Sequence, residues 1–183
     1  IENLDKNSLQ PDASVLDAVK KFGLKAEWEK DKVTVHNISG DNISDKDNKN
    51  EEPLEFFIDN SPDLAEIIAV SAVIFNKNAI IHGTKRLKYK ESDRAAAIKR
   101  LLTAAGVKTE VTDNSIAIYP SKPKPFIFDA DGDHRSVFAA AILAAGIEGN
   151  EKSVIYGAGA IKKSYPGFFN DFIKLGGNCR VDF

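Results

Sequence analysis

The stretch Lys90-Glu91-Ser92-Asp93-Arg94 stands directly before an alanine- and leucine-rich run that continues to Ala105. Apolar side chains in this run recur at i, i+3, i+4 and i+7, a spacing that predicts one buried face of a helix. They are Ile98, Leu101, Leu102 and Ala105. We interpret Ser92 as the N-cap, which places Arg94 in the first turn, where the helix dipole disfavours a cation. Arg94 is therefore either a solvated side chain at small cost or a charge kept there for binding.

The composition around this stretch is that of a soluble globular protein. Of 183 residues, 43% are hydrophobic and 28% are charged, and the formal net charge is −2. This length is typical of one domain with a sizeable core. The charge gives no reason to expect a nucleic acid or a membrane surface as a partner, and no apolar run has the length of a transmembrane helix.

Cysteine and histidine, the residues of disulfides and zinc sites, are sparse. The chain has one cysteine, Cys179, and three histidines, which excludes an internal disulfide and leaves no zinc-binding spacing. A single cysteine fits a reducing compartment, and with no visible signal peptide we expect a cytoplasmic protein. The chain has no methionine and begins with Ile1, so we expect it to be a piece of a longer protein.

Turn signals and apolar periodicity divide the chain into helices and strands. Helices are predicted from an Asp12 N-cap to Gly23, over 64–75 behind Pro62, from Ser92 to Ala105, from an Asp133 N-cap to Ala145, and from a Ser164 N-cap to Gly176. Strands are predicted at 1–4, 25–29, 33–36, 54–58, 78–82, 108–111, 116–119, 126–128, 153–156 and 178–183. The polar segment 37–52 predicts a long exposed loop.

The order of these elements repeats. A helix, three strands, a helix and a strand occur twice, and a third copy begins with the last helix. We therefore predict a mixed α/β (α+β) domain over residues 1–183, built from about two and a half βαβαββ units, with buried apolar helices and outer sheets. Aligning the units pairs Ser92 with Ser164, Glu91 with Lys163, Lys90 with Lys162, and Asp63 with Asp133.

Equivalent units would bring several helix starts to one end of the domain. Helix starts carry unpaired N–H groups and a positive dipole, which bind phosphate and carboxylate groups. Charged residues at these starts are Lys90, Arg94, Arg135 and Lys163, with the acids Asp63 and Glu91 among them. Cations beside acids suit proton transfer on an anionic substrate. Each could instead be an ordinary cap or ion pair, and for Asp133 we favour the N-cap interpretation. For Arg94, Arg135 and Lys163 together we favour binding, because three cations at equivalent helix starts contradict local propensity.

Four ordered motifs resemble the C-terminal part of the 5-enolpyruvylshikimate-3-phosphate synthase (EPSP synthase) family. They are Ser61-Pro62-Asp63-Leu64, Lys90-Glu91-Ser92-Asp93-Arg94, Asp133-His134-Arg135 and Lys163-Ser164-Tyr165-Pro166, preceded by Asn7-Ser8-Leu9-Gln10. The resemblance extends over almost the whole chain and implies one domain of the enolpyruvyl transferase fold.

The resemblance also implies an activity. The family transfers the enolpyruvyl group of phosphoenolpyruvate to the 5-hydroxyl of shikimate 3-phosphate in the shikimate pathway of aromatic amino acid biosynthesis. Phosphate is released through a tetrahedral intermediate, without a metal or an organic cofactor. Two domains close over the substrates, so the expected partners are these two substrates and an N-terminal domain that this sequence does not contain. We therefore predict that the chain alone is inactive.

Site roles follow from motif position. The implied catalytic residues are Asp63, Glu91 and Lys163, and the implied substrate-binding residues are Lys90, Arg94, His134 and Arg135. Asp63 would be the base for the attacked hydroxyl and, with Lys90, would contact shikimate 3-phosphate. Arg94, Arg135 and Lys163 would hold phosphoenolpyruvate. Glu91 and Lys163 would share proton transfer at the methylene carbon and the leaving phosphate, in a division that the sequence leaves open.

Two departures and two alternatives remain. Arg86 stands where some members have an asparagine, so it receives no role, and Tyr165 replaces a more common phenylalanine. One alternative is a non-catalytic anion-binding or interaction domain of the same fold. The other is a relative of UDP-N-acetylglucosamine enolpyruvyl transferase, a family that lacks the Lys-Glu-Ser-Asp-Arg stretch.

Overall fold

Helices and strands alternate along the chain in a computed structural model that describes residues 1–37, 52–90 and 92–182. The α-helices are α1 (Val15–Lys21), α2 (Ala65–Ile74), α3 (Arg94–Ala104), α4 (His134–Ala145) and α5 (Phe168–Lys174). The strands are β1 (Leu24–Glu29), β2 (Lys32–Asn37), β3 (Leu54–Phe57), β4 (Ala79–His82), β5 (Lys108–Val111), β6 (Ser115–Tyr119), β7 (Ile127–Asp129) and β8 (Val154–Tyr156). Short 3-10 helices lie at Pro11–Ser14, Pro62–Leu64, Thr84–Tyr89 and Ala158–Lys163.

The strands form mixed sheets, in agreement with the predicted fold class. An antiparallel hairpin joins β1 and β2. A four-stranded sheet has the order β3-β4-β6-β5, in which β3 and β4 are parallel and the other neighbours are antiparallel. A parallel pair joins β7 and β8. Of the predicted loop over 37–52, only its two end residues are described, and Asn37 ends β2.

The predicted repeat of elements is present in the described residues. The order α1, β1, β2, β3, α2, β4 is followed by α3, β5, β6, β7, α4, β8. Each unit then continues into a six-residue 3-10 helix, Thr84–Tyr89 in the first and Ala158–Lys163 in the second. The glycines before these helices, Gly83 and Gly157, have φ angles of +83° and +73°, which residues other than glycine rarely adopt. The two units therefore turn in the same way after their last strand.

Helix α2 is buried almost all round, as its apolar sequence predicts. Seven of its ten residues are buried, and a helix that is apolar on every side is stable only inside a core. It packs against α4, α3 and β4. Because α2 and α4 lie side by side, their N-terminal ends can present side chains to a common site. No helix in the described ranges is long and apolar enough to cross a membrane.

The predicted N-cap of α3 is wrong by one residue. Asp93, not Ser92, is the cap, because its Oδ1 accepts a hydrogen bond from the backbone N–H of Ala96 at 3.0 Å. The Ser92 hydroxyl donates instead to Asp133 Oδ2 at 3.0 Å. Ser and Asp are both good N-caps, so local sequence does not separate them.

The predicted Ser164 cap is also wrong, and with it part of the repeat alignment. Ser164 follows the 3-10 helix Ala158–Lys163, and α5 begins only after Gly167. The intervening Pro166 disfavours helical geometry at the residue before it. Aligned on the two 3-10 helices, Lys163 corresponds to Tyr89 rather than to Glu91.

The ends of the chain differ from prediction as well. Asp12 is not a cap but lies inside the 3-10 helix Pro11–Ser14, which precedes α1. Residues 1–4 form no strand, although Ile1 O accepts from the Val33 N–H at 2.8 Å. The φ angle of Asn3, +61°, interrupts extended geometry there. Residues 178–182 also form no strand, and the last residue of that predicted strand lies outside the described ranges.

Candidate active site

Asp63 lies at the centre of a cluster of cations. It precedes α2 in a 3-10 helix that starts at Pro62. Its Oδ1 is 2.6 Å from Arg94 Nη1 and 3.4 Å from Lys90 Nζ, and its Oδ2 is 2.5 Å from Arg135 Nη2. The Asp63 side chain is 26% exposed, so the carboxylate can still be approached from solvent. Four of the predicted site residues are thus brought into direct contact.

The contacts of Arg94 explain why this cation lies at a helix start. Its side chain is 2% exposed, and its Nε lies 2.9 Å from Asp133 Oδ2 while Nη1 binds Asp63. A buried cation is tolerated when carboxylates neutralise it and accept its hydrogen bonds. The unfavourable helix dipole is therefore outweighed by two carboxylates that belong to other elements.

Asp133 is the N-cap of α4, as predicted, and it also anchors Arg94. Its fully buried carboxylate accepts from the backbone N–H of Arg135 at 2.9 Å, from Arg94 Nε at 2.9 Å and from the Ser92 hydroxyl at 3.0 Å. Burial raises the pKa of Asp133, but the hydrogen bonds from Arg94 and the Arg135 backbone outweigh it and hold this pKa below its usual value. Asp133 is therefore a carboxylate with a full set of internal donors.

Opposing effects also determine the pKa of Asp63, and together they lower it. Burial raises it, whereas the hydrogen bond from Arg94 and the charges of Arg135 and Lys90 lower it further than burial raises it. Asp63 is consequently an anion at neutral pH. The side chains of Arg135 and Lys90 are 32% and 28% exposed, so two of its three cations face partly outward.

The remaining predicted residues lie around the start of α4 or outside the described ranges. Lys163 is exposed, and its Nζ donates to the carbonyl of Gly132 at 2.9 Å, directly before Asp133. His134 Nδ1 is buried, 4.0 Å from Asp133 Oδ1, without a hydrogen-bond partner in the described part of the chain. Glu91 is not among the described residues. Lys163 and His134 thus border the cluster without touching Asp63 through any described contact.

The cluster carries an excess of positive charge. Arg94, Arg135 and Lys90 contribute three charges, and Asp63 and Asp133 remove two, so these five side chains sum to +1. An excess cationic charge next to a helix start favours a bound anion. Among the described residues, no group of three or more His, Cys, Asp or Glu side chains could hold a metal ion.

Two residues near the cluster, Glu66 and Ser136, were not predicted from the sequence. The Ser136 hydroxyl donates to Glu66 Oε1 at 3.0 Å, and both residues are buried. The available signal was that Glu66 is the only charged residue in α2. Arg86, which received no role, is exposed and donates from Nη1 to the carbonyl of Asp59 at 3.1 Å.

Comparison with known proteins gives a consistent family. A family profile described as EPSP synthase (3-phosphoshikimate 1-carboxyvinyltransferase) matches residues 1–172. The 3-phosphoshikimate 1-carboxyvinyltransferase of Pyrococcus abyssi is 35% identical over 176 residues, which cover 96% of this chain and 39% of the relative. That of Pyrococcus furiosus is 31% identical over 175 residues, covering 96% of this chain and 40% of the relative.

Solved structures show the same fold. An EPSP synthase from Acinetobacter baumannii matches with a TM-score of 0.73 at 18% identity, covering 100% of this chain and 42% of that chain. The enolpyruvyl transferase NikO from Streptomyces tendae matches with a TM-score of 0.68 at 18% identity, covering 92% and 36%. The chain spans about two fifths of the length of the curated relatives it matches. On the family profile and these relatives together, the chain belongs to the EPSP synthase (3-phosphoshikimate 1-carboxyvinyltransferase) family.

Proposed function

We propose that this chain provides one side of the active site of an enolpyruvyl transferase. The reaction moves the enolpyruvyl group of phosphoenolpyruvate to the 5-hydroxyl of shikimate 3-phosphate and releases phosphate. The observation that carries the proposal is the convergence of Arg94, Arg135 and Lys90 on the partly exposed Asp63. Both substrates are anions with phosphate and carboxylate groups, which guanidinium and ammonium groups bind well.

Arg135 and Lys90 are proposed to change partners when substrate binds. Both are partly exposed and contact Asp63, so an incoming phosphate or carboxylate competes with Asp63 for them. Lys90 would then contact shikimate 3-phosphate and Arg135 would contact phosphoenolpyruvate. The prediction that Arg94 also holds phosphoenolpyruvate requires it to release a carboxylate, since its guanidinium is buried between two of them.

Asp63 is proposed as the base that removes the proton of the 5-hydroxyl. A carboxylate whose pKa is lowered is a weak base, which is its state in the free protein. Moving Arg135 and Lys90 onto the substrates removes two of the charges that lower this pKa, so basicity rises when both substrates are present. This ordering would restrict proton abstraction to the occupied site.

The other proton transfers are proposed for Glu91 and Lys163. When the hydroxyl oxygen attacks C2 of phosphoenolpyruvate, the methylene carbon gains a proton and becomes a methyl group. When phosphate leaves, the methyl group returns a proton and the enol double bond forms again. Lys163 lies beside the start of α4 through its contact with Gly132. His134, next to Asp133, is proposed to line the same substrate site.

The curated relatives are about two and a half times as long as the matched region. We propose that a second domain of the same protein supplies the opposite side of the site and that the 183-residue chain alone gives no turnover. The cytoplasm, where phosphoenolpyruvate is available to biosynthetic enzymes, is the proposed location.

The test is turnover by the complete gene product that carries these residues. Phosphate release from phosphoenolpyruvate should require shikimate 3-phosphate, and Asp63→Asn should lower kcat by about 10²- to 10⁴-fold, as for loss of a general base. Arg100→Gln on the exposed face of α3 is the matched control and should leave kcat unchanged. Binding of both anions without phosphate release would instead support the non-catalytic anion-binding alternative.

A further inference from the structure

Glu66 is a buried acid that the proposed reaction does not use. It lies in the first turn of α2, three residues after Asp63, and is 4% exposed. Its Oε1 accepts the hydrogen bond from Ser136, while Oε2 is buried without a hydrogen-bond partner in the described ranges. A buried carboxyl oxygen without a donor is costly as an anion, so the neutral acid is favoured.

Glu66 borders a small cavity with mostly apolar walls. Glu66 and Ser136 line a cavity of about 10 Å³ whose other walls are apolar side chains of α2, α3, α4 and β7. This volume is close to the space of a single water molecule. The cavity therefore offers an ionised Glu66 little space for solvating water.

Charged groups at the starts of α3 and α4 act electrostatically on Glu66. Asp133 and Arg135 belong to the start of α4, and Arg94 belongs to the start of α3. Burial, followed by the charge of Asp133, raises the pKa of Glu66 to about 7, against the opposing effects of Ser136, Arg94 and Arg135. Asp63, in the 3-10 helix directly before α2, is the charged residue closest to Glu66 along the chain, and Lys90 contacts it. Glu66 thus changes charge in the neutral range, next to the cations of the cluster.

We propose that Glu66 and Ser136 form a positioning pair beneath the cluster, in which the charge of Glu66 sets how strongly Arg94 and Arg135 are available to bound anions. Neutral Glu66 leaves both guanidinium groups to Asp63, Asp133 and the substrate. Ionised Glu66 adds a third carboxylate charge that competes for them. Ser136 connects α2 to α4 and holds the acid in this place. The consequence for substrate binding rests on the proposed function, whereas the electrostatic coupling does not.

The coupling is tested in the 183-residue chain by NMR. The Nε–Hε signals of Arg94 and Arg135 should shift with pH with a midpoint near 7 in the wild type, and the shift should disappear in Glu66→Gln, which keeps the shape of the side chain. The ¹³C signal of the Glu66 carboxyl should titrate with the same midpoint. His134→Gln is the control for the histidine at the start of α4, and it should leave the Arg94 midpoint in place.

Substrate binding is tested in the complete gene product. The KM for phosphoenolpyruvate should rise on the order of fivefold more between pH 6 and pH 8 in the wild type than in Glu66→Gln, with kcat changing less. A Glu66 carboxyl that titrates near its ordinary value, or an Arg94 midpoint that persists in Glu66→Gln, would overturn the positioning role even if turnover is observed. Absence of turnover with the NMR coupling intact would refute the proposed function alone. If Glu66→Gln does not fold, equal midpoints of the wild-type Glu66 carboxyl and Arg94 Nε–Hε signals would support the coupling, and unequal midpoints would overturn it.

Discussion

Asp63 and Asp133 stand at corresponding points of the two units, yet they are used differently. Both precede a buried helix, and both bind the guanidinium of Arg94. Asp133 is fully buried and caps α4 with its Oδ1. Asp63 follows Pro62 in a 3-10 helix, makes no capping hydrogen bond, and is partly exposed. Both oxygens of Asp63 are therefore directed to cations, whereas Asp133 is occupied by internal donors.

Equivalent positions of the repeated fold thus have a structural role in one unit and a proposed chemical role in the other. In the second unit the acid is saturated, so it holds Arg94 in place. In the first unit the preceding proline begins a 3-10 helix, and the acid is left open to partners that a substrate can replace. Four sets of substitutions test this contrast between the two aspartates and the residues around them.

The largest effect is expected from Arg94→Met. The substitution leaves Asp133 buried without its cation, and breaking a buried ion pair in this way costs about 3–5 kcal/mol. Urea denaturation of the 183-residue chain measures the free energy of unfolding. Arg100→Met on the exposed face of the same helix should change it by less than about 0.5 kcal/mol. Equal losses for the two arginines would show that the bridge to Asp133 is not structural.

Glu66→Gln should alter the pH dependence of stability. The folded-state pKa of Glu66 is raised from an ordinary 4.5 to about 7, so between these values the folded protein retains a proton that the unfolded chain has lost. The free energy of unfolding therefore falls as pH rises through this window, by roughly 3 kcal/mol in total. Relative to wild type, Glu66→Gln should gain that amount between pH 4.5 and pH 8. Parallel stability curves for the two proteins would contradict the raised pKa.

The two aspartates themselves should respond unequally to the same change. Asp133→Asn keeps a capping oxygen but loses the charge that Arg94 requires, and we expect a loss of about 2 kcal/mol. Asp63→Asn should cost less than about 1 kcal/mol, because its site is partly solvated. In the complete gene product the order should be reversed for kcat. Asp63→Asn should lower kcat more than Asp133→Asn, because only Asp63→Asn removes the proposed base. Equal stability losses would remove the distinction between the two acids.

A similarly small effect on stability is expected from Ser92→Ala. The substitution removes one of three donors to Asp133 and should cost about 1 kcal/mol. Asp93→Ala should cost a similar amount for a different reason, the loss of the N-cap of α3. Asp93→Asn keeps a capping oxygen and should therefore have nearly the stability of the wild type. Ser92→Thr keeps the hydroxyl. Wild-type stability of this variant would support the contact with Asp133, and a loss equal to that of Ser92→Ala would contradict it.

Much of the fold could be predicted from local patterns. The apolar run of α2 and the alanine-rich run of α4 set both the position and the burial of these helices. The assembly of Asp63 with Lys90, Arg94 and Arg135 could be predicted as well, because repeated units bring equivalent helix starts to one end.

What escaped prediction depends on contacts between distant residues. Asp133 binds Arg94 from 39 residues away, and Ser136 binds Glu66 from 70 residues away. Neither pairing leaves a local pattern. The choice of Asp93 over Ser92 as cap is of the same kind, because Ser92 is drawn to Asp133 by the tertiary structure.

The sequence separation within the cluster has a consequence for folding kinetics. Arg94 joins Asp63 across 31 positions, and Arg135 joins Asp63 across 72. Closing such long loops is entropically unfavourable until the helices have docked, so we expect these ion pairs to form after the main folding barrier. Arg94→Met should then accelerate unfolding and leave the folding rate nearly unchanged, a φ-value near zero in a chevron plot. Ion pairs that form after the barrier slow unfolding, so the cluster would set the lifetime of the folded domain.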